Sequence, residues 1–251
     1  MSSTPLERLR TVVGKPGAIA RVHVAFGSVL DAVEPGRAVA RVPALPPATL
    51  RGPGVVPMLG DLALSAAILA TLPAGQGIAT LTLHTTLLGP LPPAGEPLAV
   101  TAEFVGGTGS ALAGRGDARA ADGRLVAHLT CCCAVLPQAE GPSGAAGDPD
   151  PDPFAALGPD LRADPSLANA AGGVQGGVLA AILADRMAGE GSVAVSDLDV
   201  TFLRAVRADG APMAVATESV HNGRRLAAAR AQLCGDDGRP AAVATCAFWN
   251  G

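Results

Sequence analysis

The chain repeats itself. Residues 97–131 set against 212–246, at a constant offset of 115 and without a gap, give 13 identities in 35 positions. A composition this skewed would give roughly four by chance. The identities are Pro97/Pro212, Ala99/Ala214, Val100/Val215, Glu103/Glu218, Val105/Val220, Ala113/Ala228, Arg115/Arg230, Ala127/Ala242, Thr130/Thr245 and Cys131/Cys246. The triplet Asp122-Gly123-Arg124 against Asp237-Gly238-Arg239 completes them. A fold for this chain must therefore be a small unit used twice.

The segment from Pro137 to Pro159 (PQAEGPSGAAGDPDPDPFAALGP) separates the copies. Rich in Pro, Gly and Asp, it lacks the apolar content to fold alone and reads as a linker. The predicted organisation is an N-terminal domain over 20–137, a linker over 138–159 and a C-terminal domain over 160–251. In each copy a Gly/Pro-marked turn (RGPG at 51–54, QGG at 175–177) opens an apolar run, VVPMLGDLALSAAILA or VLAAILADRMAG. Length and Ala/Leu content favour a helix, with Pro57 admissible only in its opening turn. Strand candidates follow: ATLTLHTTLL, LAVTAEFV, SALAGRGDARA and RLVAHLTCCCAVL, matched by VAVSDLDVTFL, MAVATESV, RLAAARAQL and PAAVATCAF. The Asp-Gly steps at 122–123 and 237–238 signal hairpins between the last two strands of each copy. The class is α+β, one long helix wrapped by an antiparallel sheet, twice over. Residues 31–42 add a strand or hairpin in the first copy whose counterpart in the second is less clear.

Composition narrows the function. At 49% hydrophobic the chain can build a sizeable core, but only 2% is aromatic and Tyr is absent. Ala, Val and Leu must do the packing, with Phe26, Phe104, Phe154, Phe202, Phe248 and Trp249 as the large pieces. Net charge is −4, Lys15 is the only lysine, and no basic stripe interleaved with aromatics points to nucleic acid. Five cysteines, three of them adjacent (Cys131, Cys132, Cys133), do not make a disulfide framework, and no Cys-x-x-Cys pair suggests zinc. The first twenty residues, interrupted by Glu7, Arg8, Arg10 and Lys15, fit neither a signal peptide nor a membrane span. A cytoplasmic location is expected.

The run Asn169-Ala-Ala-Gly172-Gly-Val-Gln175-Gly176-Gly177 resembles the Asn-x-x-Gly-x-x-His-Gly-Gly segment of hotdog thioesterases of the phenylacetyl-CoA type. Asp199-Val-Thr201-Phe202-Leu-Arg204 is similar to the strand that follows it, and His221-Asn222-Gly223-Arg224-Arg225 to the family's Gly-Arg turn. The resemblance covers most of 165–250 and, more weakly, about 50–136. It implies a double hotdog whose halves pack as a pseudo-dimer, hydrolysis of an acyl-CoA thioester, no metal or redox cofactor, and assembly into a homo-oligomer. Two departures stand out. The family's His is Gln175 in one copy and Arg51 in the other. The helix carboxylate, nine residues after that His in the family, comes ten after these positions, at Asp185 and Asp61.

In such pairs the site resembles a seam, helix N-terminus from one unit and carboxylate from the other. Carried over, the better-equipped seam joins Asn169, Gln175 and Gly176 with Asp61; the second joins Arg51 and Gly52 with Asp185. Backbone N–H groups at a helix start can stabilise an oxyanion, and glycine lets the carbonyl approach. Gly176 and Gly177 suit that task, while Pro53 removes one donor from the first copy. The same glycines could equally serve tight helix–sheet contact. An aspartate in an apolar helix is partly desolvated, which raises its pKa toward a useful base; a surface face, suggested by Arg186 beside Asp185, is the alternative. Asn169 and Gln175 either orient the carbonyl or water, or only cap the loop and helix start. Arg204, Arg207, Arg224 and Arg225 are candidates for coenzyme A phosphates, with Thr201 on the neighbouring strand, although solvated edge arginines are commoner. His84 and His128 read as ordinary strand histidines, and the cysteine run as sheet packing. An Asp/Thr/Gln arrangement, as in another tandem-hotdog thioesterase branch, is not evident near the final strand. A non-catalytic acyl-CoA binding or sensing protein is the rival reading.

Overall fold

The computed structural model describes residues 3–15, 19–25, 27–45, 54–138, 160–188 and 195–249. Two short helices, α1 (Pro5–Val12) and α2 (Arg21–Ala25), precede a hairpin of β1 (Val29–Glu34) and β2 (Arg37–Val42). The first repeat continues with α3 (Val55–Leu69), β3 (Gln76–Leu87), β4 (Leu98–Gly107), β5 (Ala111–Ala120) and β6 (Leu125–Pro137). The second has a 3₁₀ turn (Pro165–Leu167), α4 (Gly176–Ala188), β7 (Val195–Phe202), β8 (Ala214–Asn222), β9 (Leu226–Cys234) and β10 (Pro240–Trp249). The expected linker, 138–159, lies outside the described residues apart from Gln138.

All ten strands form one antiparallel sheet in the order β1-β2-β4-β5-β6-β3-β7-β10-β9-β8. β3 and β7 meet at its centre and join the repeats, His84 facing Asp199. The offset of 115 holds to single residues. His84 pairs with Thr130 as Asp199 pairs with Thr245. The exposed bulge at Val105 recurs at Val220, that at Val126 at Ala241, and that at Leu81 at Ser196. Glu103 faces Arg115 and Glu218 faces Arg230, each pair within ion-pair distance (3.2 and 3.0 Å). Such cross-strand pairs help hold a register. This is the α+β double hotdog expected from the sequence.

α3 and α4 pack side by side on one face of the sheet. Thirteen of the fifteen α3 residues are buried, so its sequence is apolar all round, as befits a helix enclosed by its own sheet and a neighbour. Pro57 falls in the opening turn, as its missing N–H requires. The helices cross where side chains shrink. A Cβ on Gly177 would overlap the Met58 backbone, and one on Gly54 would lie 2.9 Å from Ala181 Cβ. The β1–β2 hairpin extends the first half by pairing with β4 over six residues, Arg37–Val42. Among the described residues no strand does so for β8, and eight of its nine residues are exposed.

Candidate active site at the helix crossing

The helix contacts define a two-fold relation of their own. Gly54 against Ala181 mirrors Gly177 against Met58, and both matches (54 with 177, 58 with 181) are 123 apart. The strands repeat at 115, so the helix-to-strand connection is eight residues shorter in the second copy. By the helix offset Asp61 matches Ala184, and Asp185 matches Leu62. The two aspartates are thus one residue out of register, about 100° of helix rotation. Asp61 is buried (6%) and turned inward, whereas Asp185 is exposed. The expectation that Asp185 is desolvated is therefore corrected. The same offset matches Gln175 to position 52, and Asp61 lies nine residues after 52, so the family spacing is kept on that side. Arg51, Gly52 and Pro53 themselves lie outside the described residues.

Asp61 meets the other repeat directly. Its Oδ2 accepts from the Gly177 N–H at 3.2 Å, and its Oδ1 accepts from the Thr80 hydroxyl at 2.9 Å. Burial pushes the carboxyl above its ordinary pKa, and the two hydrogen bonds partly offset that rise. Gln175 is buried (4%) at the start of α4, where its carbonyl accepts from Val178 and Leu179. Its side-chain Nε2 donates to the Met58 carbonyl of α3 at 3.2 Å, and a carbonyl partner dictates which end of the amide faces it. The Oε1 that this leaves is buried with no partner among the described residues. The Gly176 N–H meets no acceptor among the described residues, and Gly176 is partly exposed. A Cβ there would stand 3.3 Å from Asp61 Oδ2 and 3.4 Å from the Phe202 ring. A carboxylate, a hydroxyl, an orphan carbonyl oxygen and an unused amide thus converge at one helix N-terminus.

Thr80 is the residue that reading the sequence missed. Simple alternation along β3 would put it on the outer face with Thr82, His84 and Thr86. The bulge at Leu81 shifts the phase, so Thr80 faces the buried Cys133 and points at α3. Asp, Thr and Gln do come together, at the crossing of the helices and away from the final strand.

The other candidates stand apart from this crossing. The Asn169 side-chain oxygen accepts from the Ala171 and Gly173 N–H groups at 2.9 and 3.2 Å, closing the loop before α4. Thr201 faces Thr82 on the sheet side away from the helices. β7 passes from Val195 to Phe202 beside Gly176, and Phe202 aligns through Ala242 with the Leu233 end of β9. Arg224 and Arg225, in the turn before Leu226, are therefore at the far end of the strands. Arg204 is fastened to Asp237 (2.9 Å) and to the Pro240 carbonyl (3.0 Å). Arg207, its side chain 88% exposed, pairs through its backbone with Gly173 on the site's own loop. His84 and His128 engage Thr86 and Asp117 on the outer face.

Residues 164–249 match the family model described as the acyl-CoA thioesterase N-terminal domain. The match falls on the C-terminal repeat, about a third of the chain. The matched repeat contributes Gln175, Gly176 and Gly177 to the crossing, and the preceding repeat contributes Asp61 and Thr80. The fold is similar to that of the tesB protein of Mycobacterium avium subs paratuberculosis, with 19% identity, coverage of 92% of this chain and 98% of that one, and a TM-score of 0.61. It is also similar to an acyl-CoA thioesterase II of Mycobacterium marinum (16% identity, 84% and 90% covered, TM-score 0.58). An acyl-ACP thioesterase from Bacteroides thetaiotaomicron is more distant, at 10% identity, 69% and 77% coverage and a TM-score of 0.50. At these identities the likeness is one of fold. Among curated proteins none matches the chain. No described helix is long and apolar enough to cross a membrane.

Proposed function

We propose that the protein hydrolyses acyl-CoA thioesters at the single seam formed by Asp61 and Thr80 with Gln175 and Gly176. The observation that carries this reading is the buried, donor-fixed carboxylate of Asp61 beside an unused helix N-terminal amide. The domain family and the thioesterase names of the structural neighbours supply the substrate class.

General base catalysis suits Asp61 better than direct attack, because both of its oxygens already accept hydrogen bonds. Water held by Asp61 gives it a proton as the water oxygen adds to the thioester carbonyl. The Gly176 N–H, aligned with the α4 dipole, takes the developing oxyanion. Collapse breaks the C–S bond, and the proton on Asp61 passes to the leaving thiolate, leaving the free acid and coenzyme A thiol. No cofactor takes part. Ala184 and Val195 stand where the second seam would need its Asp and Thr, which supports one site per chain. Arg207 is the cation best placed to meet a coenzyme A phosphate, since it borders the loop that ends in Gln175.

The test is thiol release by the purified protein across a panel of acyl-CoAs. Turnover abolished by Asp61→Asn and untouched by Asp185→Asn is the expected result. Binding without turnover in the unmodified protein would instead make it an acyl-CoA binding protein on this scaffold.

A further inference from the structure

We infer that Cys133 is a positioning residue that holds the Thr80 hydroxyl in line with Asp61. This rests on the reading of Asp61 as the base. Cys133 lies directly opposite Thr80 in the β3–β6 ladder, fully buried on the helix-facing side, and its Sγ is 3.9 Å from that of Cys131. Thr80 has one proton and sends it to Asp61 Oδ1. The same hydroxyl acts on the Cys133 thiol across the ladder, where it partly offsets the rise in the thiol's pKa. A thiol that donates to the Thr80 oxygen fixes the hydroxyl rotor and polarises the next bond in the chain. The contact with Cys131 and then burial push the Cys133 thiol well above its ordinary pKa, so it is available as S–H.

The internal repeat separates this role from plain packing. Cys131 recurs as Cys246, buried in both copies and indifferent to whether a site is present. Cys133 does not recur. Its counterpart is Phe248, which faces Val195 across the β10–β7 ladder just as Cys133 faces Thr80. Carboxylate, hydroxyl and thiol occur together in the first copy and are replaced together by Ala184, Val195 and Phe248 in the second.

The test compares Cys133→Ala and Cys133→Ser in the full chain by kcat and KM on an acyl-CoA. A ¹³C NMR titration of the Asp61 carboxyl is run beside it. In Cys133→Ala, kcat should fall about three- to tenfold with KM unchanged, and the Asp61 titration should move to higher pH. Cys133→Ser should restore both. In a Thr80→Val background, Cys133→Ala should move the Asp61 titration no further. An Asp61 titration identical in wild type and Cys133→Ala overturns the proposal, as does a shift in Cys133→Ser as large as in the Ala variant. Cys133→Val serves if removal of the sulfur volume unfolds the Ala variant. A wild type without turnover sinks the hydrolase reading alone, because the carboxyl titration still reads the thiol's effect.

Discussion

Asp61 and Gly177, 116 residues apart in sequence, meet at 3.2 Å, and the carboxylate of one repeat thereby rests on the helix start of the other. This contact makes the site a property of the paired repeats. Neither repeat holds the carboxylate and the amide together. The measurable consequences follow from it.

Removing the proposed base is the most direct probe. Asp61→Asn keeps an acceptor for Gly177 and a polar partner for Thr80, yet cannot take a proton. The expected loss in kcat is on the order of 10²- to 10⁴-fold, measured by thiol release. Asp185→Asn, on an exposed helix position, should leave kcat within about twofold of wild type. Equal losses in both variants would mean that the seam is wrongly chosen.

The pH dependence has a definite sign. In the proposed mechanism Asp61 acts in its ionised form, and burial raises its folded pKa, so kcat/KM should rise with pH through that raised value. Thr80→Val removes a donor to the ionised form and should shift this limb to still higher pH, with kcat down about tenfold. Stability runs the other way. The unfolded chain gives up the Asp61 proton at ordinary carboxylate pH, while the folded chain keeps it until the raised pKa is passed. Ionising Asp61 therefore costs stability across that window and above it. Asp61→Asn should melt at a higher temperature than wild type near neutral pH, and the gain should vanish below the ordinary carboxylate range.

His23 gives the opposite slope. It is fully enclosed, its Nδ1 3.0 Å from the Ser28 hydroxyl, and burial holds its pKa down to about 4 from 6.5. The unfolded chain binds a proton below 6.5 that the folded chain refuses until about 4. Stability is thus full above the upper value and is lost as pH falls to the lower one, by at most roughly 3 kcal/mol. Melting curves of wild type and His23→Gln between these limits should converge as the pH falls.

The helix crossing itself can be tested by size. Gly177→Ala places a methyl group against the Met58 backbone, and overpacking of this kind costs about 1–3 kcal/mol. The expected drop in Tm is about 2–4 °C per kcal/mol. Because the helices must separate, Asp61 loses its Gly177 donor, and kcat should fall as well. A variant with unchanged Tm and unchanged kcat would contradict the crossing.

Much of this protein was legible before any coordinates. The succession of helix and strands along each half, the hairpins at Asp122-Gly123 and Asp237-Gly238, and the likeness of the halves are visible in an offset of 115 that the ladders reproduce residue by residue. Gly176, Gly177 and Asp61 stood out because glycine pairs at a helix start and an acid in an apolar run are unusual in any context. Other residues were misread for local reasons. Asp185 looked equivalent to Asp61 by counting from the turn, but helices read phase from their contacts, and one residue turned it to solvent. Thr80 was hidden by a bulge that reverses the facing of a strand. Arg224 and Arg225 carried the right charge at the far end of the strands.

The repeat, the class of fold and the placing of an acid within each apolar helix were determined by the sequence alone, because periodicity and apolar content act within a few residues of chain. Which acid is buried, which hydroxyl it finds and which amides face it were decided only when the two helices crossed. That crossing depends on the close approach of Gly54 to Ala181 and Gly177 to Met58, contacts between distant parts of the chain that no local pattern encodes.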